Sequence, residues 1–333
     1  MSRVPFEELS VQYRDSLHDA AHLARSNSSN ELTMTERIDL PTDLSGGERR
    51  RLLPDSLRLG PVRLRVGDLQ RSLDYYTQVL GLEARDVTAT TAALHASGED
   101  TPLVVLDAAP DTVPVRAQSR LGLYHFAILL PDRAALGRFL AHLARGGVRV
   151  GSANHLVSEA LYLRDPDGLG IEIYADRPRS EWKYVGGQLE MASDPLDAAA
   201  VIAAARGEAW SGMPHGTVMG HVHLHVGDLD QASRFYHDAL GLDRVVWNYP
   251  GALFLSAGGY HHHLGVNTWA GPHAPRSGEN EARLLEWRMH FPTADDARAV
   301  ADRLTAAGHD ASVAGADWIV ADPWGTRLRL TTG

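Results

Sequence analysis

A repeat at a constant offset of 160 residues constrains this chain more than any other feature. Gly60–Leu82 reads GPVRLRVGDLQRSLDYYTQVLGL and Gly220–Leu242 reads GHVHLHVGDLDQASRFYHDALGL, with eleven of 23 positions identical. Chance does not give that, so the chain holds at least two copies of one folding unit. Each copy opens with period-2 alternation, as in Val62, Leu64 and Val66 against Arg63 and Arg65, which predicts a half-buried strand. Asp68 and Asp228 then stand where a helix N-cap belongs. Leu73, Tyr76, Val79 and Leu80 follow at helical spacing, and Gly81 ends the helix as a C-cap glycine does.

A second repeat interleaves with the first. Tyr124–Pro131 (YHFAILLP) leads into a helix over Arg133–Arg145 and strands ending in DPDGLGIEIY, Asp165–Tyr174. Leu285–Pro292 (LEWRMHFP) leads into a helix over Ala294–Ala306 and strands ending in DPWGTRLRL, Asp322–Leu330. Asp-Pro-x-Gly is hairpin-turn chemistry. The pattern predicts an α+β chain of four βαβββ modules, near residues 58–108, 121–175, 217–268 and 284–332. The division that follows is a first domain over 58–175, a Pro- and Gly-bearing linker over 176–213 and a second domain over 214–333. Residues 1–55 differ in composition and read as a mobile N-terminal extension, with one weakly amphipathic stretch near Leu9–Leu23. Within it Leu44–Arg50 (LSGGERR) is similar to the signature loop of ATP-binding-cassette ATPases. No phosphate-cradling GxxxxGK[ST] accompanies it, so no nucleotide site is assigned.

Composition removes several function classes. A net charge of −10 argues against a nucleic-acid partner held by phosphate contacts. With no cysteine there is no disulfide framework, thiolate metal site or cysteine nucleophile. No apolar run reaches the ~18 residues of a membrane span, and the polar N-terminus does not read as a signal peptide; a cytoplasmic protein is expected. The count that stands out is 17 histidines, histidine being the commonest metal ligand.

Where those histidines fall matters more than their number. In His221-Val222-His223-Leu224-His225-Val226 alternation puts three histidines on one face and three aliphatics on the other. Alone, that is equally a polar face opposite a core. His125 opens the first strand of module two and Glu172 lies in its last; singly, these read as a core histidine and a solvated carboxylate. His261-His262-His263 follow a strand and turn in FLSAGGYHHHLGV, and Tyr162 precedes Glu172 by ten residues in HLVSEALYLRDPDGLGIE.

Taken together, GLYHFAILLPDR, HLVSEALYLRDPDG, GHVHLHVGDL and YHHHLGVNTW on four βαβββ modules resemble the vicinal oxygen chelate superfamily of glyoxalases, bleomycin-resistance proteins and extradiol dioxygenases. The likeness is to its single-chain catechol 2,3-dioxygenase-like branch, and it covers residues 58–333. It implies modules that pair into curved-sheet half-barrels cupping a metal or ligand. By this resemblance His221 fills a metal-ligand position, where module one has Pro61 and cannot bind. His125 and Glu172 match the remaining ligand positions. In module four Glu286 and Arg329 take those two places, and a cation at a ligand position abolishes binding. The resemblance therefore implies one metal site, His125, Glu172 and His221, with modules two and three pairing across the linker. Two imidazoles and one carboxylate are the donor set of non-haem Fe(II) oxygenases, with Mn(II) as the alternative ion. His262 matches the family's acid–base histidine, Tyr162 a tyrosine that hydrogen-bonds the substrate oxygen, and His155 a further substrate-pocket histidine. His223 and His225 read as pocket lining or solvated. Alternation is expected to turn His261 and His263 away from the side His262 faces, and Trp287, Met289, Trp318 and Ile319 are expected to fill the concavity of module four.

The implied activity is extradiol cleavage in aromatic compound catabolism: a small aromatic diol and O2 as partners, ring opening next to the diol, and no nucleic acid or membrane. A homo-oligomer is left open. The alternatives are another metal enzyme of the superfamily, glyoxalase-like or hydroquinone-cleaving, and a non-catalytic bleomycin-resistance-like binding protein. Glyoxalase-type sites usually carry two carboxylates, which Arg329 counts against.

Overall fold

The computed structural model describes residues 52–271 and 273–332. The stretch near Leu9–Leu23 and the Leu44–Arg50 loop lie outside the described residues. Of the extension read over 1–55, residues 52–55 are described, and Leu53 among them is buried.

Four βαβββ modules follow. Module one holds β2 (Val62–Val66), α1 (Leu69–Asp74), β3 (Glu83–Arg85), β4 (Thr91–His95) and β5 (Val104–Ala108), preceded by the short β1 (Arg58–Leu59). Module two holds β6 (Gly122–Leu129), α2 (Arg133–Arg145), β7 (Gly151–Asn154), β8 (Ser158–Arg164) and β9 (Gly170–Asp176). Residues 177–213 carry a small hairpin, β10 (Tyr184–Val185) and β11 (Gln188–Leu189), and α3 (Ala198–Ala204). Module three holds β12 (Val218–His225), α4 (Leu229–Ser233), β13 (Asp243–Val246), β14 (Ala252–Ser256) and β15 (Leu264–Asn267). Module four holds β16 (Arg283–Phe291), α5 (Ala294–Ala306), β17 (Ser312–Ala314), β18 (Asp317–Ala321) and β19 (Arg327–Thr332).

The helix caps form where the residue types ask for them. Asp68 accepts from the Arg71 amide at 2.9 Å and Asp228 from the Gln231 amide at 2.7 Å. Gly81 and Gly241 leave those helices at φ +81° and +101°, which only glycine adopts without strain. One feature departs from the simple α-helical spacing: Tyr75–Val79 and Arg234–Ala239 wind as π-helix. In both copies the tyrosine inside that wider turn donates to the aspartate of the Asp-Pro-x-Gly turn of the following module, Tyr76 to Asp165 at 3.2 Å and Tyr236 to Asp322 at 2.8 Å. The other oxygen of each aspartate accepts two backbone amides of its own turn, so both turns are closed in the same way.

In every module the first strand pairs parallel with the last, and the first strands of two modules pair antiparallel at the sheet centre. One sheet runs β17-β18-β19-β16-β2-β5-β4-β3, from modules four and one. The other runs β13-β14-β15-β12-β6-β9-β8-β7, from modules three and two. Each sheet thus takes one module from each half of the sequence, and neither 58–175 nor 214–333 closes a sheet alone. Helix α3 from the intervening segment lies on α2, where a Cβ on Gly137 would come within 2.2 Å of the Val201 carbonyl oxygen.

The helix-facing sides of the strands carry the core: Leu64, Leu106, Phe126, Ile128 and Trp287 are fully buried, and burial of each of the aliphatic and phenylalanine side chains stabilises the fold by roughly 1.5–3 kcal/mol. This corrects the expectation for module four. Trp287 and Met289 belong to that core rather than to the concavity. Trp318, opposite Leu330, lies under Arg298 of α5, its ring 5.8 Å from the guanidinium. Ile319 alone of the four lies opposite Arg329. Strand period decides this: Glu286 and Arg329 occupy the inner face, so Trp287 and Met289 on β16 and Leu328 and Leu330 on β19 point to the helices.

Candidate metal centre

Three central strands of the module two–three sheet bring the predicted ligands together. In the register, His221 of β12 stands opposite Ala127 of β6, and Ala127 opposite Glu172 of β9, so one small residue separates the two side chains. His125, two residues along β6, reaches the same point. The Glu172 Oε2 lies 3.0 Å from His125 Nε2 and 3.2 Å from His221 Nε2. One donor atom from each of the three residues falls within 4.8 Å of the other two. All three are buried, at 5%, 2% and 1% exposure for His125, Glu172 and His221.

The donor set fits a divalent cation. His125 Nε2 and His221 Nδ1 are buried without a hydrogen-bond partner, the former too poorly aligned on Glu172 to make one; such orphaned nitrogens cost stability unless something else uses their lone pairs. Burial holds both histidines below their ordinary pKa, in the neutral form a metal requires. Burial would raise Glu172, but His221 and His125 outweigh it and hold its carboxyl well below the usual range. The cluster thus presents two neutral imidazoles and one negative charge.

His262 packs on the open side of this cluster, its ring centroid 4.0 Å from that of His221 and 5.0 Å from that of Phe254. It is buried, and burial followed by the surrounding histidines depresses its pKa well below the ordinary value. A chain of hydrogen bonds fixes its tautomer. Asp176 at the end of β9 can only accept, so His261 Nε2–H donates to Asp176 Oδ1 at 2.9 Å. In the neutral ring His261 Nδ1 is then an acceptor, and it takes the Nδ1–H of His262 at 2.7 Å. The Nε2 lone pair of His262 is left for the cavity.

This overturns the expectation that His261 faces away. The alternation argument assumed an extended segment, but Gly258 and Gly259 at φ +62° and +66° make residues 257–263 a turn, with β15 starting only at Leu264. His261 is instead fully buried between Asp176 and His262. His263 does turn elsewhere, onto Ser256 and the Ala257 amide.

Tyr162 and His155 also reach the site. Tyr162 stands opposite Glu172 in the β8–β9 pairing, its ring 5.6 Å from His125. His155 Nδ1–H donates to the Ala192 carbonyl at 2.6 Å, so in its neutral form Nε2 accepts the Tyr162 hydroxyl at 2.5 Å. A phenolic oxygen can accept as well as donate. These groups, with Tyr124, Phe254 and Trp269, line a cavity of about 50 Å³. His223 lines this cavity and His225 is buried behind it rather than solvated, the two bridged by Asn267 at 2.9 and 2.6 Å. A Cβ on Gly265 would lie 2.9 Å from the His223 ring, so this approach needs glycine.

The sequence profile of the glyoxalase/bleomycin resistance protein/dioxygenase superfamily matches residues 58–173 and 218–330, both halves of the repeat. The chain belongs to this superfamily. Catechol-2,3-dioxygenase of Bacillus subtilis (strain 168) is 43% identical over 272 residues, 81% of this chain and 95% of that protein. Among solved structures, a protein from Bacillus subtilis subsp. subtilis str. 168 superposes with a TM-score of 0.58 at 13% identity, over 83% of this chain and 84% of that one. Glyoxalase I from Zea mays gives a TM-score of 0.49 at 19% identity, over 83% and 92% of the two chains.

Among the described residues, the chain builds two cups and equips only one with the three donors. In the module one–four sheet the corresponding places hold Glu286 and Arg329, which pair with each other. Sequence reading missed Asp176, Asn267, Tyr124 and the 191–193 segment. Asp176 was within reach, since period 2 along β9 puts Glu172, Tyr174 and Asp176 on one face. Met191–Ser193 reach the cavity from the intervening segment by tertiary packing, which no local pattern signals.

Proposed function

We propose that the chain is an extradiol ring-cleaving dioxygenase that takes a small catechol-type diol and O2, with Fe(II) held by His125, Glu172 and His221. Mn(II) suits the same donors. The observation that carries the reading is the convergence of these three side chains beneath an aromatic-lined cavity that also holds His262; the 43% identity to a catechol-2,3-dioxygenase supports it. When bound, the ion supplies positive charge that acidifies the diol oxygens and a path for electrons from the ring to O2. One carboxylate leaves a divalent site at +1, which a catecholate monoanion neutralises in a buried setting.

The remaining chemistry belongs to the side chains. His262 Nε2 accepts a diol proton and returns it as the ring opens, and the Asp176–His261 pair holds the tautomer that makes this nitrogen the base. Tyr162, its hydroxyl proton engaged by His155, accepts a hydrogen bond from the substrate hydroxyl. Tyr124, Phe254 and Trp269 exclude water around the diol. The carbon–carbon bond beside the diol breaks, both atoms of O2 enter the product, and that product carries a carboxylate and a new carbonyl group. A cytoplasmic enzyme of aromatic catabolism follows from this reading; no helix among the described residues is long and apolar enough to cross a membrane.

The test is anaerobic loading with Fe(II), then a panel of catechols with O2 uptake and absorbance recorded together. One O2 consumed per catechol, with a yellow ring-fission product, is expected. Metal-loaded protein that consumes no O2 with any catechol would overturn the reading.

A further inference from the structure

The second cup is lined by a cluster of arginines that the proposed chemistry does not use. A cavity of about 510 Å³, a size typical of small-molecule sites, opens on the inner face of the module one–four sheet. Arg65 of β2 and Arg283 of β16 stand directly opposite each other there, and like charges in that relation repel. Arg276 and Arg327 line the same cavity.

The hydrogen-bond partners of three of these guanidiniums are neutral carbonyls. Arg65 reaches the Glu279 carbonyl at 3.5 Å, Arg276 the Pro323 carbonyl at 2.7 Å, and Arg283 the Gly278 carbonyl. Arg65 Nε is buried with no partner. The nearby acids are mostly engaged elsewhere: Asp107 by Arg63, Glu281 by Arg120, Glu286 by Arg288 and Arg329. Glu279 offsets the charge around Arg283 without an ion pair among the described residues. Arg283 is held below its ordinary pKa by burial and then by Arg65 and Arg327, against the opposing pull of Glu279 and Glu281. Concentrating positive charge in one cup of a chain with net charge −10 costs stability unless an anion answers it. Leu121, Leu123, Leu285 and Trp324 supply the apolar part of a lining that also holds Asp107, Glu279, Glu286, Ser277 and Thr326.

We infer that this cup binds an organic carboxylate, its charged end on Arg65 and Arg283 and its apolar body against Leu123, Leu285 and Trp324. Guanidinium forks match a carboxylate in two-point geometry, and the apolar part of the lining gives a hydrocarbon or aromatic body a contact that a bare oxyanion cannot use.

The test uses the full chain and titration calorimetry at low ionic strength, with benzoate as probe and benzamide and inorganic phosphate as comparisons. One benzoate per chain is expected, weakened about tenfold or more in Arg65→Gln and in Arg283→Gln, as loss of a charge-assisted hydrogen bond gives. Arg65→Lys, which keeps the charge but not the fork, should also weaken it. His125→Ala should bind benzoate as the parent does, which separates this cup from the metal centre. Ligand-free Arg65→Gln should melt no lower than the parent at low salt, because it relieves repulsion. No benzoate binding, binding unchanged in both glutamine variants, or binding lost in His125→Ala would overturn the inference. Phosphate binding as tightly as benzoate and lost in the same variants would overturn the assignment to a carboxylate.

Discussion

Arg329 lays its guanidinium across both carboxylate oxygens of Glu286, at 2.8 and 3.0 Å. The two occupy the places held by Glu172 and His125 in the other sheet, so one fold position serves a metal-type donor in one cup and an ion pair in the other. The substitution of a cation is decisive, because Arg329 both removes a donor and occupies its partner. Asp107 and Arg63 pair on the neighbouring strands of the same cup.

Arg329→Glu should therefore gain no second equivalent of metal, since Glu286 is not a histidine and no counterpart of His221 exists beside it. It should lose stability by a few kcal/mol, below the roughly 3–5 of a fully buried broken pair because Arg329 is 19% exposed. Metal analysis and thermal unfolding of the variant check both statements; a second bound equivalent would contradict the first.

Asp176→Asn should lower turnover on the order of 10–100-fold, the usual effect of a partner that orients a functional histidine, with metal content unchanged. His261→Phe should do the same, because each removes the chain that leaves Nε2 of His262 as the base. Turnover at the parental rate in Asp176→Asn would mean that the tautomer of His262 is set by something else. Measuring iron per chain alongside kcat separates orientation of the base from damage to the metal centre.

Buried neutral histidines give this protein an acid-side limit. Burial pushes His225 down to about 4, against about 6.5 in the unfolded chain. The unfolded state therefore takes up a proton first, and the stability present above pH ~6.5 is lost progressively as pH falls toward 4. For His225 alone the loss is on the order of 3 kcal/mol, and His263, pushed by burial to about 3, adds to it. Urea unfolding at a series of pH values on metal-free protein should show this slope, and His225→Gln should flatten it; a slope identical to the parent would contradict the assignment.

Much of the architecture was legible because the repeats recur with their caps and turns intact. Asp68 and Asp228, Gly81 and Gly241, and the two Asp-Pro-x-Gly turns are local signals whose geometry depends on the residue itself. The three candidate ligands came from the resemblance to the superfamily, because singly His125, Glu172 and His221 read as core or solvated residues. Where expectation failed, a local rule was applied outside its domain. Period 2 does not run through the glycine turn before His261, and Trp287 and Met289 of β16 alternate with Glu286 and Arg288, which occupy the cup face. Contacts that depend on tertiary approach alone, such as Ala192 on His155, leave no local trace.

His262→Phe should retain metal and catechol affinity while turnover falls by a factor of about 10²–10⁴, the usual contribution of a positioned acid–base group. Loss of metal would make His262 a ligand, and full activity would leave its place beside His221 without a catalytic role.

The metal content of His221→Ala is the most direct test of the shared centre, because His221 comes from module three whereas His125 and Glu172 come from module two. The parent, loaded anaerobically with Fe(II) and desalted, should hold one iron per chain, and His221→Ala should hold little while keeping the parental circular dichroism spectrum. Stoichiometric iron in folded His221→Ala would contradict a centre shared between the two modules.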